Sequence, residues 1–281
     1  DHPDVFNGPR GSMHRAMPAV EVGQPVPPPF YTIRTRFWND EKTAILAEEN
    51  TIIFVPQVVK INYLPNVASL LATPMIVTNK SDGIITVYAG TESNDAAEQI
   101  LLDMPQYLYA FMPDEVNIRF VNPEQSVSGS YTSLYLTQEA SPTDEAFGVC
   151  LSFDPRNSSP SGLAVVYVRD LYKSMRDFYR YKQVSSDSFT VPLSVANFSC
   201  LLAEVSVHEV AHSLGLVDAE VLNAISKEDP HNLGGTGQNM MDIFGLKRMS
   251  DVMSPSKTRY WRRVNRFYME FCLPKKKWGE Q

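Results

Sequence analysis

The feature that most constrains this chain is a thirteen-residue stretch that begins at Ser206 and ends at Asp218. It reads S-V-H-E-V-A-H-S-L-G-L-V-D, and apolar residues at helical spacing surround it, so we predict a helix here. His208 and His212 are four residues apart, and such positions share one face of a helix. Two imidazoles on one face can bind one metal ion, and zinc suits such ligands.

Three more residues of this stretch fit the same kind of site. Glu209 directly follows the first histidine and can reach a water molecule on the metal, which is the position of a general base in hydrolysis. Gly215 can adopt a positive φ, end the helix and turn the chain. The turn would bring Asp218 back as a third ligand. Three protein ligands leave one position open, as in catalytic zinc sites.

The pattern H-E-x-x-H-x-x-G-x-x-D resembles the signature of the metzincin clan of zinc peptidases, H-E-x-x-H-x-x-G-x-x-H with a later methionine turn. Asp218 stands where most members have histidine and is similar to the snapalysin type. The resemblance is specific over these eleven residues and looser from about Ile84 to the C-terminus. It implies an α+β fold with a twisted mixed sheet, an active-site helix and a C-terminal helix.

The resemblance also implies a mechanism and a methionine turn in the loop after the helix, and the same loop contains a further candidate ligand. Glu209 would take a proton from the attacking water and give it to the leaving amine. His231, nineteen residues after His212, is the alternative third ligand, although Asp218 is favoured on geometry. Met253 is favoured for the methionine turn because it leads into the last helix. Met241 is the alternative, and a methionine at either position also suits a plain core role.

Pattern and composition predict a proline-stiffened tail or linker at residues 1–29 and a small β-rich region at 30–75, and the resemblance implies a metzincin-like zinc peptidase domain at 76–281. A helix is predicted from Asn94 to Phe111 and another from Ser254 onward, whereas residues 138–162 read as a loop. Strands are predicted at residues 30–37, 51–55, 58–63, 84–89, 116–121, 133–136 and 163–168.

The strand that precedes the active-site helix lies at the sheet edge in metzincins and pairs with an extended substrate. Carried over to this chain, the resemblance implies that peptide binds by strand addition. An interior strand is an equal alternative. The expected substrate-binding residues are Leu163, Ala164, Val165, Val166 and Tyr167.

Composition sets further limits. The chain has 281 residues, a net charge of −7 and 43% hydrophobic residues, which is enough for a sizeable core and argues against nucleic acid as the main partner. No apolar run approaches the ~20 residues of a membrane span. The sequence begins with polar residues, and no signal peptide is recognised in it. The three cysteines, Cys150, Cys200 and Cys272, allow at most one intrachain disulfide.

These observations favour a zinc metalloendopeptidase that acts on protein or glycoprotein substrates. By analogy with the family we expect it to be secreted, periplasmic or at the cell surface, and we expect a monomer. One alternative is an O-glycopeptidase that cleaves next to glycosylated Ser or Thr of mucin-type glycoproteins. An alternative of another class is a non-catalytic binding module on a zinc scaffold. Glu209 argues against the latter, because a structural site has no use for a base beside its ligand.

Overall fold

The computed structural model describes most of the chain between residues 30 and 273. The predicted tail at residues 1–29 lies outside the described residues. The other ranges outside the description are residues 39–42, 55, 65, 72–75, 80–82, 87–93, 128, 143–145, 155–156, 158–160, 185–194, 217–230, 244–246, 248 and 274–281.

The described part of the chain contains both strands and helices, and its last four elements are helices. The strands are β1 (Phe30–Trp38), β2 (Ile45–Phe54), β3 (Gln57–Tyr63), β4 (Ile76–Asn79), β5 (Gly83–Thr86), β6 (Ile118–Val121), β7 (Thr132–Thr137), β8 (Gly148–Ser152) and β9 (Leu163–Tyr167). The helices are α1 (Val67–Leu71), α2 (Asn94–Phe111), α3 (Val168–Val184), α4 (Val195–Ser213), α5 (Met249–Val252) and α6 (Arg263–Cys272).

A five-stranded sheet forms the centre of the fold, with the strand order β6-β3-β7-β9-β8. Strands β6, β3, β7 and β9 are parallel to their neighbours, and β8 is antiparallel to β9. The fold is therefore mixed α/β with a mostly parallel sheet, as the predicted mixed sheet requires. Two antiparallel hairpins, β1–β2 and β4–β5, form separate two-stranded sheets.

Strand β3 corrects the predicted domain boundary. It lies between β6 and β7, with Val59 opposite both Phe120 and Thr132. Val59 and Ile61 are fully buried in the core that this sheet shares with the helices. Residues 57–63 therefore belong to the same sheet as residues 118–167, and a division at 75/76 would cut through one hydrophobic core.

Strand β9 corrects the predicted sheet edge. It pairs with β7 on one side and β8 on the other, so Leu163–Tyr167 is interior and the predicted edge position is wrong. The edge is β8, within residues 138–162 that were predicted to be a loop. Its pairing includes a register shift between Cys150 and Ser152, and such irregularities are common at sheet edges.

Helix α4 passes through the core. Every residue from Asn197 to Ser213 is buried, which explains why its apolar residues occur on all sides of the helix rather than on one face. It packs against α2 and against β7, β8 and β9. Helix α6 begins at Arg263, so the predicted start at Ser254 is wrong. No helix in the described part of the chain is long and apolar enough to cross a membrane.

Candidate metal centre

The C-terminal end of α4 has the turn that the sequence predicts at Gly215. This glycine has a φ of +86°, and its N–H donates to the His212 carbonyl at 2.9 Å. The Leu216 N–H donates to the Ala211 carbonyl at 3.0 Å, which completes a Schellman cap. The Tyr268 hydroxyl of α6 donates to the Leu214 carbonyl at 3.0 Å. The helix end that carries His212 is thereby fixed by both local and distant hydrogen bonds.

Three imidazoles meet beside this helix end: His208, His212 and His231 offer ligand atoms that all lie within 4.8 Å of one another. The Nε2 atom of His208 lies 3.1 Å from Nε2 of His212 and 3.1 Å from Nε2 of His231. Two nitrogens bound tetrahedrally to one zinc ion are about 3.3 Å apart, given Zn–N bonds of ~2.0–2.1 Å. The three rings are therefore close to the spacing that a metal ion requires.

The protonation state of His208 agrees with a ligand role. Its Nδ1 lies 2.7 Å from the Met240 carbonyl oxygen, which can only accept, so Nδ1 carries the hydrogen. In the neutral ring Nε2 then has the free lone pair, and this atom faces the other two imidazoles. Burial holds the pKa of His208 well below its ordinary value, and His212, Lys247 and His231 act in the same direction. The ring is thus neutral and ready to ligate.

His231 reaches the centre through a loop closed by Asp242. This carboxylate is fully buried. It accepts hydrogen bonds from the side chain of Asn232 at 2.9 Å and from the main-chain N–H groups of Thr236, Gly237 and Asn239 at 3.0–3.1 Å. Burial alone would raise the pKa of Asp242, but these hydrogen bonds hold it below the ordinary value. The loop that presents His231 is therefore organised around one charged side chain.

The structure brings the alternative third ligand, His231, to the other two histidines. Asp218, which the sequence favours, lies outside the described residues. Of the candidate methionines, Met253 lies at the far end of α4, where its carbonyl accepts a hydrogen bond from Asn197 at 2.7 Å. Eleven residues of helix, about 16 Å, separate Asn197 from His208. The turn that contains Met241 lies beside His208 instead, which corrects the preference for Met253.

Glu209 directly follows His208 on α4 and lies against the edge strand β8. Its side chain is 8% exposed. A Cβ built on Gly148 of β8 would come within 2.8 Å of both Cδ and Oε1 of Glu209, so only glycine leaves room for this carboxyl. Burial raises the pKa of Glu209 to about 8, against the opposing charge of Lys247. A cation held by the neighbouring imidazoles would favour the charged carboxylate.

The free edge of β8 runs past Glu209. The Tyr167 N–H donates to the Phe147 carbonyl at 2.8 Å, so the peptide groups of Phe147 and Val149 face β9. Because these groups alternate in an antiparallel pair, those of Gly148 and Cys150 face away from β9. No further strand of the described residues pairs with that side. An extended chain could therefore form hydrogen bonds there.

Sequence reasoning missed Gly148 and two charged residues beneath the histidines, Glu204 and Lys247. Glu204 had a visible signal, because a carboxylate within the apolar run Leu201–Val205 needs a cationic partner when it is buried. Lys247 and Gly148 are far from the motif in sequence and gave no local signal. The described cysteines, Cys150, Cys200 and Cys272, are all free thiols, and burial raises the pKa of Cys150 to about 12.

Fold and site together define a mixed α/β protein with three histidines that can hold a metal ion and a buried glutamate directly after one of them on the same helix. No protein family and no curated protein matches the sequence. Among solved structures, a chain from the GM1-bound form of the ECX AB5 holotoxin is similar at 14% identity and a TM-score of 0.35, covering 76% of this chain and 77% of that chain. A likeness at this TM-score carries no argument about fold or activity.

Proposed function

We propose that this protein is a zinc-dependent endopeptidase of metzincin-like type. The observation that carries the proposal is the convergence of three imidazoles, within 4.8 Å of one another, with the buried Glu209 directly after His208 on the same helix. His208, His212 and His231 are the proposed ligands, and their all-nitrogen set suits zinc. When bound, zinc lowers the pKa of a water molecule toward ~7 and polarises a peptide carbonyl.

The chain's own residues supply binding and proton transfer. Glu209 accepts a proton from the attacking water and delivers it to the leaving amine. The Met240 carbonyl holds His208 in the tautomer that leaves Nε2 free, through its 2.7 Å hydrogen bond. The substrate lies in extended form along β8, where the peptide groups of Gly148 and Cys150 face outward. This edge takes the role that the sequence assigned to Leu163–Tyr167.

A hydrolase needs both metal ligands and a base, whereas a binding module on a zinc scaffold needs only the ligands. The placement of Gly148 favours the hydrolase, because the edge strand β8 has its glycine at the position where a Cβ would overlap Glu209. We propose proteins or glycoproteins outside the cell as substrates. Cleavage assays on casein and on a mucin-type glycoprotein distinguish a general endopeptidase from an O-glycopeptidase.

The test is metal analysis combined with cleavage assays on casein and on a mucin-type glycoprotein, with and without a chelator. The parent protein is expected to hold about one zinc per chain and to cleave in a chelator-sensitive manner. Glu209→Gln keeps the size of the side chain but removes the base. We expect it to retain zinc and to lose activity by about 10²–10⁴-fold.

Three results separate the possibilities. Cleavage of the mucin-type substrate alone would identify the O-glycopeptidase. Zinc binding with no cleavage of either substrate would favour the binding module. A parent protein that holds no zinc, or a Glu209→Gln variant that cleaves as fast as the parent, would refute the proposed function.

A further inference from the structure

A buried charged cluster lies beneath His208, one helical turn before it on α4. The two oxygens of Glu204 accept hydrogen bonds from Lys247 Nζ at 2.9 Å and from Arg259 Nε at 2.5 Å. The side chains of Lys247, Glu204 and Arg259 are at most 6% exposed. Such a cluster is expensive to bury, and apolar side chains of the same volume often stabilise a core as well or better. Its position therefore suggests a role other than stability.

The ammonium of Lys247 connects this cluster to the metal centre. Besides Glu204, it donates to the Met240 carbonyl oxygen at 3.0 Å. The same oxygen accepts the Nδ1–H of His208 at 2.7 Å. A carbonyl has two lone pairs and can accept both donors. A continuous hydrogen-bonded path therefore leads from Glu204 through Lys247 and the Met240 carbonyl to His208.

We propose that Lys247 is a positioning residue for His208, acting through the Met240 carbonyl. The proposal rests on the proposed function, in which His208 ligates zinc. Lys247 holds the carbonyl at one place and angle, and the carbonyl in turn fixes the orientation and tautomer of the imidazole. Partners that orient a metal-binding histidine in this way typically contribute 10–100-fold to metal affinity.

A purely electrostatic role for Lys247 makes the opposite prediction. An ammonium near the centre repels a divalent cation, so its removal would tighten metal binding. Loss of positioning would weaken metal binding. The sign of the change in affinity therefore distinguishes the two roles.

The experiment measures zinc affinity by competition with a chromophoric chelator, and the absorption spectrum of the Co²⁺-loaded protein, for the parent, Lys247→Met and Lys257→Met. Lys257 is the matched control, because its side chain is 52% exposed and it pairs with Asp251 at 3.5 Å at the surface. We expect Lys247→Met to bind zinc about 10–100-fold more weakly and to show an altered Co²⁺ spectrum. We expect Lys257→Met to match the parent in both.

Lys247→Gln carries the test if Lys247→Met does not fold. The glutamine side chain is one atom shorter than that of lysine and cannot reach both Glu204 and the Met240 carbonyl. We therefore expect zinc affinity and the Co²⁺ spectrum to change in the same direction as in Lys247→Met, but by less. Unchanged or tighter zinc binding with a parent-like Co²⁺ spectrum, in whichever variant folds, would overturn the positioning role alone. A parent protein that binds no zinc would overturn the proposed function and this inference with it.

Discussion

Gly148 is the residue at which catalysis and metal binding should separate most clearly. A Cβ at this position would overlap Glu209. The three heavy atoms nearest to it all belong to Glu209, and none belongs to an imidazole. We expect Gly148→Ala to displace the Glu209 carboxyl and to lower kcat/KM about 100-fold, because a shift of ~1 Å in a catalytic group has an effect of that size. Peptide-cleavage kinetics on the zinc-loaded protein measure the loss.

Two controls belong to the Gly148 experiment. Zinc stoichiometry should stay at the parent value in Gly148→Ala, since the imidazoles are not touched. Leu102→Ala removes a side chain that is 60% exposed on α2, and its kinetics should be those of the parent. A Gly148→Ala variant that cleaves at the parent rate would show that the Glu209 side chain accommodates the added Cβ, which contradicts this prediction.

His231 and Asp218 make opposite predictions about the third ligand. Because His231 Nε2 lies 3.1 Å from His208 Nε2, we expect His231→Ala to lower zinc affinity by more than about 100-fold. Asp218→Ala should change it little. Chelator competition on both variants measures the two affinities. The reverse result would restore Asp218 as the ligand.

The sequence was most informative where the chemistry is local. His208, Glu209 and His212 follow from helical spacing, and the left-handed Gly215 follows from the need to end that helix. His231 could be offered only as an alternative, because a separation of nineteen positions from His212 follows no spacing rule. The choice between Met253 and Met241 could not be made locally for a similar reason. The Met253 carbonyl accepts a hydrogen bond from Asn197 at the start of α4, and only tertiary structure shows which end of the helix a loop contacts.

At the scale of elements, long or strongly patterned segments were predictable and the edge strand was not. Strand β8 reads Gly-Val-Cys-Leu-Ser, which has no clear alternation of apolar and polar residues. Its main chain pairs with β9, and the local sequence does not indicate this pairing. Helix α3 begins directly at the end of β9 without a capping residue to announce it. The late start of α6 reflects Pro255 in a turn rather than in a first helical turn.

The loop from His231 to Asp242 is the element whose stability should depend most on one residue. Asp242→Asn removes the charge that accepts hydrogen bonds from Thr236, Gly237 and Asn239. Hydrogen bonds to a charged group contribute ~1.5–3 kcal/mol each at most, and they are not additive, so we expect a loss of about 2–4 kcal/mol in unfolding free energy. Denaturant unfolding of the metal-free protein measures it.

The pH dependence of this loss has a definite sign. The pKa of Asp242 in the folded protein lies below its ordinary value of 3.8, so the charged form stabilises the fold. That contribution is complete above the ordinary value and is lost as the pH falls through the lower folded value. The stability gap between parent and Asp242→Asn should therefore close in strong acid.

Asp251→Asn is the control, since this side chain is 42% exposed and its ion pair contributes little. A gap that persists unchanged into strong acid would contradict the assignment.

At the scale of the whole molecule, the metal centre joins two parts of the chain that differ in how they are held. Helix α4 is buried over its length from Asn197 to Ser213, so His208 and His212 are fixed by the hydrophobic core. His231 is half-buried and depends on the polar loop around Asp242. A metal ion bound by all three residues would tie the loop to the core.

This difference predicts how the protein responds to metal removal. A ligand present at a thousand times its Kd stabilises the native state by ~4 kcal/mol, which for a chain of this size corresponds to roughly 10 °C in Tm. We therefore expect a chelator to lower Tm by about that amount in the parent and by roughly a third of it or less in His231→Ala, whose zinc affinity is lowered by more than about 100-fold. Because the core holds α4 without metal, far-UV circular dichroism should change little when metal is removed, and the loss of protection in hydrogen exchange should fall mainly on residues 231–243. Calorimetry and hydrogen exchange with and without chelator measure both effects. Loss of protection along α4 equal to that of the loop would mean that the metal supports the core itself, and a Tm indifferent to chelator would mean that the three histidines bind no metal.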